Sequence, residues 1–158
     1  EGDVVLLAGD GTSLLDGSDY QKVVLGETAG RIPEPDLAAE RGLHAFLAAA
    51  AERRLLGSAH DVGGGGLAVA LAEAAMAGGI GVRVEEAPDL FGEGDGRVVI
   101  SARGADVAAL RELAGPVPLR PLGTVGGSEI AVGPARIALA EARDLYEGAL
   151  PRIMEGGA

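Results

Sequence analysis

Cysteine is absent from the 158 residues, which excludes a disulfide scaffold, thiolate metal sites and a cysteine nucleophile, and is compatible with a reducing cytoplasm. Basic residues are scarce: 13 Lys and Arg stand against 24 Asp and Glu, a formal net charge of -11. A nucleic-acid surface needs clustered Lys and Arg to neutralise phosphates, so no nucleic-acid partner is expected. No apolar run reaches the ~18 residues of a membrane span, and the opening EGDVVLLAGDGTS lacks the basic stretch of a signal peptide. No membrane partner is expected, and the expected location is cytoplasmic. The chain opens on Glu1 rather than Met, so a piece of something longer is expected. Its length suits one domain, burying roughly 70% of its unfolded surface, and residues 1–158 show no internal boundary.

The most informative stretch is SAHDVGGGGLAVALAEAAMA, Ser58 to Ala77. Four glycines, Gly63, Gly64, Gly65 and Gly66, run into an apolar helix-forming segment that starts near Gly66 or Leu67, with His60 and Asp61 just upstream. Glycine permits positive φ and close approach to a ligand. The first N–H groups of the helix are unpaired and carry the positive end of its dipole, which makes a ready site for a phosphate anion. The same glycines also suit plain close packing of helix on strand. No Lys follows to make a P-loop. His60 and Asp61 are adjacent, and adjacent strand side chains point to opposite faces, so a direct acid/base pair is not expected. His60 either contacts ligand or is a hydrogen-bonded structural histidine.

Along the chain, Asp3 to Ala8 reads as a buried strand closed by GDGTS. Val23 to Leu25 suits either a strand or a helical turn, and Asp16, Ser18 and Asp19 form an acidic turn expected to cap. Asp36 is a good N-cap for a helix running to about Leu55 and ended by Gly57. Leu67 to Ala77 is apolar nearly all round, with Glu73 as its one charge, so it must be covered on several sides. Self-association is one way to cover it. Strands are expected at Ile80 to Val84, Arg97 to Ala102 and Leu119 to Val125, with a helix from Asp106 to Ala114. Ser128 to Val132 and Ala135 to Ala138 suit a hairpin. A last helix places Ala142, Leu145, Tyr146, Ala149, Leu150 and Ile153 on one face. Glu93, Asp95 and Arg97 alternate as one strand face that could hold a phosphate or Mg²⁺, but a solvated loop is the commoner reading, and no full set of metal ligands is present. The interleaving predicts an α/β fold with a mixed β-sheet flanked by α-helices.

SAHDVGGGGLAVALAEAAMAGGIGVRV, DLFGEGDGRVVIS, LGTVGG and LYEGALPRIM, with DGSDY and RIPEPDLAAE before them, together resemble a C-terminal half-domain of the phosphoribosylformylglycinamidine synthase family. That family is related to aminoimidazole ribonucleotide synthetase. The resemblance covers nearly the whole chain and implies an α/β, aminoimidazole ribonucleotide synthetase C-terminal-domain-like fold. It implies a purine-pathway ligase that uses ATP, Mg²⁺ and ammonia from a glutaminase partner to convert formylglycinamide ribonucleotide to an amidine through an iminophosphate. An N-terminal, ATP-binding synthetase domain would lie outside this chain. By the same resemblance the loop His60, Asp61, Gly63 to Gly66 and Leu67, together with Arg97, would bind the ribonucleotide monophosphate at its phosphate. The chain departs from the family at Gly63 and Gly64, where Ser and Asp are usual, and at Glu93 to Arg97, where a Ser- and Gln-rich stretch is usual. These departures leave a non-catalytic binding or structural module of the same fold as the alternative expectation.

Overall fold

Val4–Ala8, VVLLA, forms β1 inside a seven-stranded mixed sheet of order β2-β4-β1-β5-β3-β6-β7. The computed structural model describes residues 1–87 and 89–156. The other strands are β2 (Ser58–Asp61), β3 (Val82–Val84), β4 (Val98–Ala102), β5 (Leu119–Val125), β6 (Glu129–Val132) and β7 (Ala135–Ala138). Both neighbours of β1 are antiparallel: Val4 stands opposite Ala102 of β4 and Thr124 of β5, with a bulge between Val5 and Leu6 in the second pairing. β3 and β6 run parallel, so the sheet is mixed, as expected.

Helices cover both faces. Val5 and Leu7 pack with Leu67 and Leu71 of α2 (Gly66–Gly78), while Leu6 and Ala8 pack with Leu43 and Phe46 of α1 (Leu37–Glu52) and Leu110 of α3 (Val107–Ala114). A strand covered on both faces has no polar side to keep, which is why VVLLA does not alternate. α4 (Leu139–Met154) follows β7 and touches α2 at its start. Each face removes several large apolar side chains from water, at ~1.5–3 kcal/mol for a fully buried Leu or Ile.

Several boundaries differ from the sequence reading, and those around the site do so for local reasons. Asp36 caps α1, its Oδ1 accepting from the N–H groups of Ala38 (2.9 Å) and Ala39 (3.0 Å). The helix nevertheless ends at Glu52 rather than Leu55, because Arg54 takes the left-handed conformation (φ 56°) and the Leu55 N–H turns back to the Ala50 carbonyl. Gly57 serves the sheet instead: a Cβ there would lie 2.9 Å from Asp3 Oδ2. Val23 to Leu25 belong to a π-helical turn, Gln21–Leu25. Arg97 precedes β4, and Gly96 (φ 74°) breaks the run before it.

The last helix is where the expected core fails. Of its predicted apolar face only Ala142 is buried; Leu145, Tyr146, Leu150 and Ile153 are exposed. Periodicity identifies a face that suits burial without supplying the partner. Here the sheet ends at β7, and after Arg143 every described residue of α4 except Gly148 is exposed.

Candidate functional site

β2 is an edge strand paired to β4, with Asp61 opposite Val98. From there the chain turns into α2 through two successive left-handed glycines, Gly65 (φ 78°) and Gly66 (φ 68°). Neither position has room for a side chain. A Cβ on Gly65 would lie 2.3 Å from Val69 Cγ2, and one on Gly66 2.8 Å from the carbonyl oxygens of Leu90 and Gly92. The close approach that glycine permits is therefore used by the protein's own strap, Leu90 to Glu93, laid across the start of α2.

That strap takes up part of the helix terminus. The Ala68 N–H donates to the Leu90 carbonyl (2.9 Å), the Gly66 N–H to the Gly63 carbonyl (3.0 Å), and the Gly65 N–H to Glu93 Oε1 (2.8 Å). Glu93 Oε1 also accepts from the Asp19 N–H at 2.8 Å. One carboxylate oxygen thus joins the glycine loop to the DGSDY turn. Among the described residues, no protein group accepts from the N–H groups of Gly63, Gly64 and Leu67. Asp19 Oδ2 stands 3.0 Å from where a Gly64 Cβ would be, so a carboxylate borders the loop at that position.

Both ends of the strap are anchored. Glu93 exchanges backbone hydrogen bonds with Leu14 (3.0 and 2.8 Å), and the Gly92 N–H donates to Asp89 Oδ1 (3.1 Å). Arg97, 6% exposed, donates from Nη2 to the Gly92 carbonyl at 2.7 Å, while its Nε and the Ser13 hydroxyl find no partner among the described residues. Burial lowers the Arg97 pKa, and the Asp89 charge opposes this. The rings of Tyr20 and Phe91 stack at 4.6 Å. The acidic turn caps as expected: Ser18 Oγ accepts from the Gln21 N–H and Asp16 Oδ2 from the Arg31 N–H.

The structure divides the site residues predicted from sequence. Asp61 is exposed and points toward Gly63, its Oδ2 3.6 Å from where a Cβ would stand. Leu67 buries its side chain completely and offers only its backbone. His60 turns away from the loop: Nε2 lies 3.0 Å from Glu73 Oε2, and Nδ1 is 3.6 Å from Asp61 Oδ1, too long for a hydrogen bond. Glu73 is seven residues past Gly66, roughly 10 Å down the helix axis. The hydrogen bond to Glu73, and then its charge, raise the pKa of Tyr146 on α4. His60 and Glu73 therefore tie β2 to α2, and the Glu73 charge reaches Tyr146 on α4.

Glu93, Asp95 and Arg97 do not share one strand face. Glu93 reaches the glycine loop and Arg97 lies beneath the strap. Asp95 lines a separate cleft of about 410 Å³, bounded by Gly9 to Thr12, Pro33 to Asp36, Glu40 and Pro116 to Pro118. The left-handed Gly96 reverses the alternation that the sequence shows. Sequence reasoning missed Glu93 and Asp19 as partners of the loop. Among the described residues no group of three His, Asp or Glu is arranged to hold a metal ion. With no Lys in the loop, these residues do not fit a magnesium or ATP-phosphate site of their own.

Residues 1–133 match the family described as AIR synthase related protein, C-terminal domain. The chain belongs to the AIR synthase related family. Among its relatives in that family, the phosphoribosylformylglycinamidine synthase subunit PurL of Thermobifida fusca is 43% identical over 95% of the chain, and that of Methylocella silvestris 39% identical over 97%. The chain spans 21% and 22% of those relatives, about a fifth of their length. Thermotoga maritima PurL, solved in complex with FGAR, superposes with a TM-score of 0.70 at 18% identity, over 89% of this chain and 28% of that one. A protein of Thermus thermophilus, tt0281, gives 0.58 at 22% identity, over 86% and 50%. At these identities the two structures speak for the fold, and they agree with the mixed sheet flanked by helices. The resemblance carried by SAHDV, LFGE and EGALP is borne out across the chain.

Proposed function

We propose that this chain is the part of an amidine-forming ligase that receives the phosphate end of a ribonucleotide monophosphate, at the loop Asp61 to Leu67. The observation that carries this reading is the group of N–H donors of Gly63, Gly64 and Leu67 at the start of α2, which find no protein acceptor among the described residues. They come from a chain whose relatives are PurL subunits. These donors bind and orient an anion; they move no proton. ATP and Mg²⁺, which would supply the phosphoryl group that activates the amide oxygen, belong on this reading to an N-terminal synthetase domain. Ammonia comes from a glutaminase partner, and the setting is the cytoplasm. No described helix is long and apolar enough to cross a membrane.

A charge near a helix N-terminus is stabilised by about 0.3–1 kcal/mol, and up to ~2 when partly buried. Without Lys or Arg in the loop, phosphate affinity is therefore weak, around millimolar, for which ~4 kcal/mol suffices. Titration with phosphate or a ribonucleotide monophosphate, read at the backbone amides of Gly64 to Ala68, tests the assignment. Shifts centred on those amides support it; shifts elsewhere with those amides fixed overturn it. The alternative, a non-catalytic module of the same fold, is favoured by one feature: glycines stand where the family has Ser and Asp, at Gly63 and Gly64.

A further inference from the structure

We infer that Glu93 is the internal occupant of this anion site, and that phosphate enters by displacing its carboxylate, which at the same time releases the Asp19 turn. The inference rests on the phosphate reading above and adds a gate to it. Its geometric basis is one oxygen, Glu93 Oε1, accepting at 2.8 Å from both the Gly65 and Asp19 N–H groups. The Gly65 donor is at the very end of α2 that an anion would use. Two negative groups on adjacent N–H donors repel by about 1 kcal/mol at 4 Å in water, and more where water is partly excluded. The two occupants therefore compete.

The surroundings make the side chain, rather than the strap, the moving part. The Glu93 backbone is paired to Leu14 in both directions, and the preceding carbonyl is held by Arg97. Arg97 is 6% exposed and, among the described residues, its Nε has no acceptor, so beneath the strap lies a cation whose charge Asp89 offsets without occupying that donor. That cation favours negative charge at this end of α2 whichever anion supplies it. Glu93 itself is only half-buried, so its carboxylate can swing into solvent without crossing the core. When it leaves, the Asp19 N–H loses its acceptor. Anion binding at the glycine loop is then felt in the turn from Leu15 to Tyr20, which is far away in sequence.

Inorganic phosphate titrations of the wild-type protein, Glu93→Gln and Glu93→Ala, followed by amide chemical shifts, test this. Gln keeps an acceptor oxygen without the charge; Ala removes both. Displacement predicts that affinity rises in the order wild type, Glu93→Gln, Glu93→Ala, with a gain of roughly tenfold at the end of the series. The Gly65 and Asp19 amides should shift together in the wild type and independently in Glu93→Ala. Equal affinities, or a weaker Glu93→Ala with Glu93→Gln like wild type, would assign Glu93 a fixed positioning role and overturn the gate while the phosphate site stands. An Asp19 amide that stays still while Gly65 shifts in the wild type also overturns it. If the amides from Gly63 to Ala68 shift in none of the three proteins, the phosphate site itself fails and the gate with it. Should Glu93→Ala not fold, the comparison of Glu93→Gln with wild type decides.

Discussion

At the scale of single residues, the four glycines are not equivalent. Gly65→Ala forces a left-handed L-residue against Val69, and a loss of about 1–3 kcal/mol is expected from the backbone strain and the clash. Gly63→Ser places a side chain at a position without positive φ, where the nearest atom to a new Cβ is Asp61 Oδ2 at 3.6 Å. That change should stay within about 0.5 kcal/mol. Urea unfolding of the two variants separates a conformational requirement from an open position. The GGGG run was legible as a loop opening a helix, because glycine composition and the apolar run after it are local signals. Glu93 was not. It meets Gly65 and Asp19 only once the strap has crossed α2, and the 93, 95, 97 alternation that suggested a strand is undone by the backbone of Gly96.

The Tyr146 phenol gives a second residue-level test. Its pKa lies above the ordinary value of 10.0 because Glu73 accepts its hydrogen bond and bears a negative charge. A group whose pKa is raised on folding favours the protonated form, so its contribution is complete below the unfolded value and is lost as pH rises through the folded one. The contact between α4 and α2 should therefore loosen only on the alkaline side of about pH 10. In a Tyr20→Phe background, leaving Tyr146 as the remaining tyrosine, phenolate absorbance should titrate at lower pH after Glu73→Gln. An unchanged midpoint would remove Glu73 as the cause.

Among the elements, α2 keeps the role its sequence suggests and α4 does not. The all-round apolar α2 does find cover, between the sheet and the start of α4, and its lone charge is used to hold His60. The strongly periodic α4 leaves Leu145, Leu150, Ile153 and Met154 exposed. Leu71→Ala, 2% exposed at the centre of the α2 face, should cost about 2–5 kcal/mol. Leu150→Asp, 70% exposed, should stay within about 0.5 kcal/mol. Calorimetry of the pair checks the assignment, and a large loss at Leu150 would mean that α4 packs along its length. Helix positions were legible because caps and period are local: Asp36 and the Leu67 to Ala77 run appear where expected. Which apolar face gets covered depends on where the sheet ends, and no local pattern encodes that.

For the whole molecule, purified chain supplied with ATP, Mg²⁺, ammonia and formylglycinamide ribonucleotide should give no detectable amidine product, since phosphoryl transfer requires positioned clamps, and among the described residues no metal-holding group is arranged and no Lys stands in the glycine loop. Product formation with contaminating synthetase excluded would overturn that expectation. The net charge of -11 repels phosphate at long range. Its affinity should therefore rise with modest inert salt and fall once the salt's anions compete.

The position of β1 also sets how this chain can fold. Its first strand must wait for partners late in the sequence, since Val4 stands opposite Ala102 and Thr124, and the loop-closure entropy of those pairings has to be met before the two apolar cores can form around VVLLA. A nascent chain emerging from the ribosome exposes that run unpaired until β4 has been made, and with one edge bare until β5 follows. Such a chain is open to aggregation during synthesis and dependent on late, cooperative closure, and a fragment stopped at Gly115 would keep β4 beside β1 but leave its other edge bare.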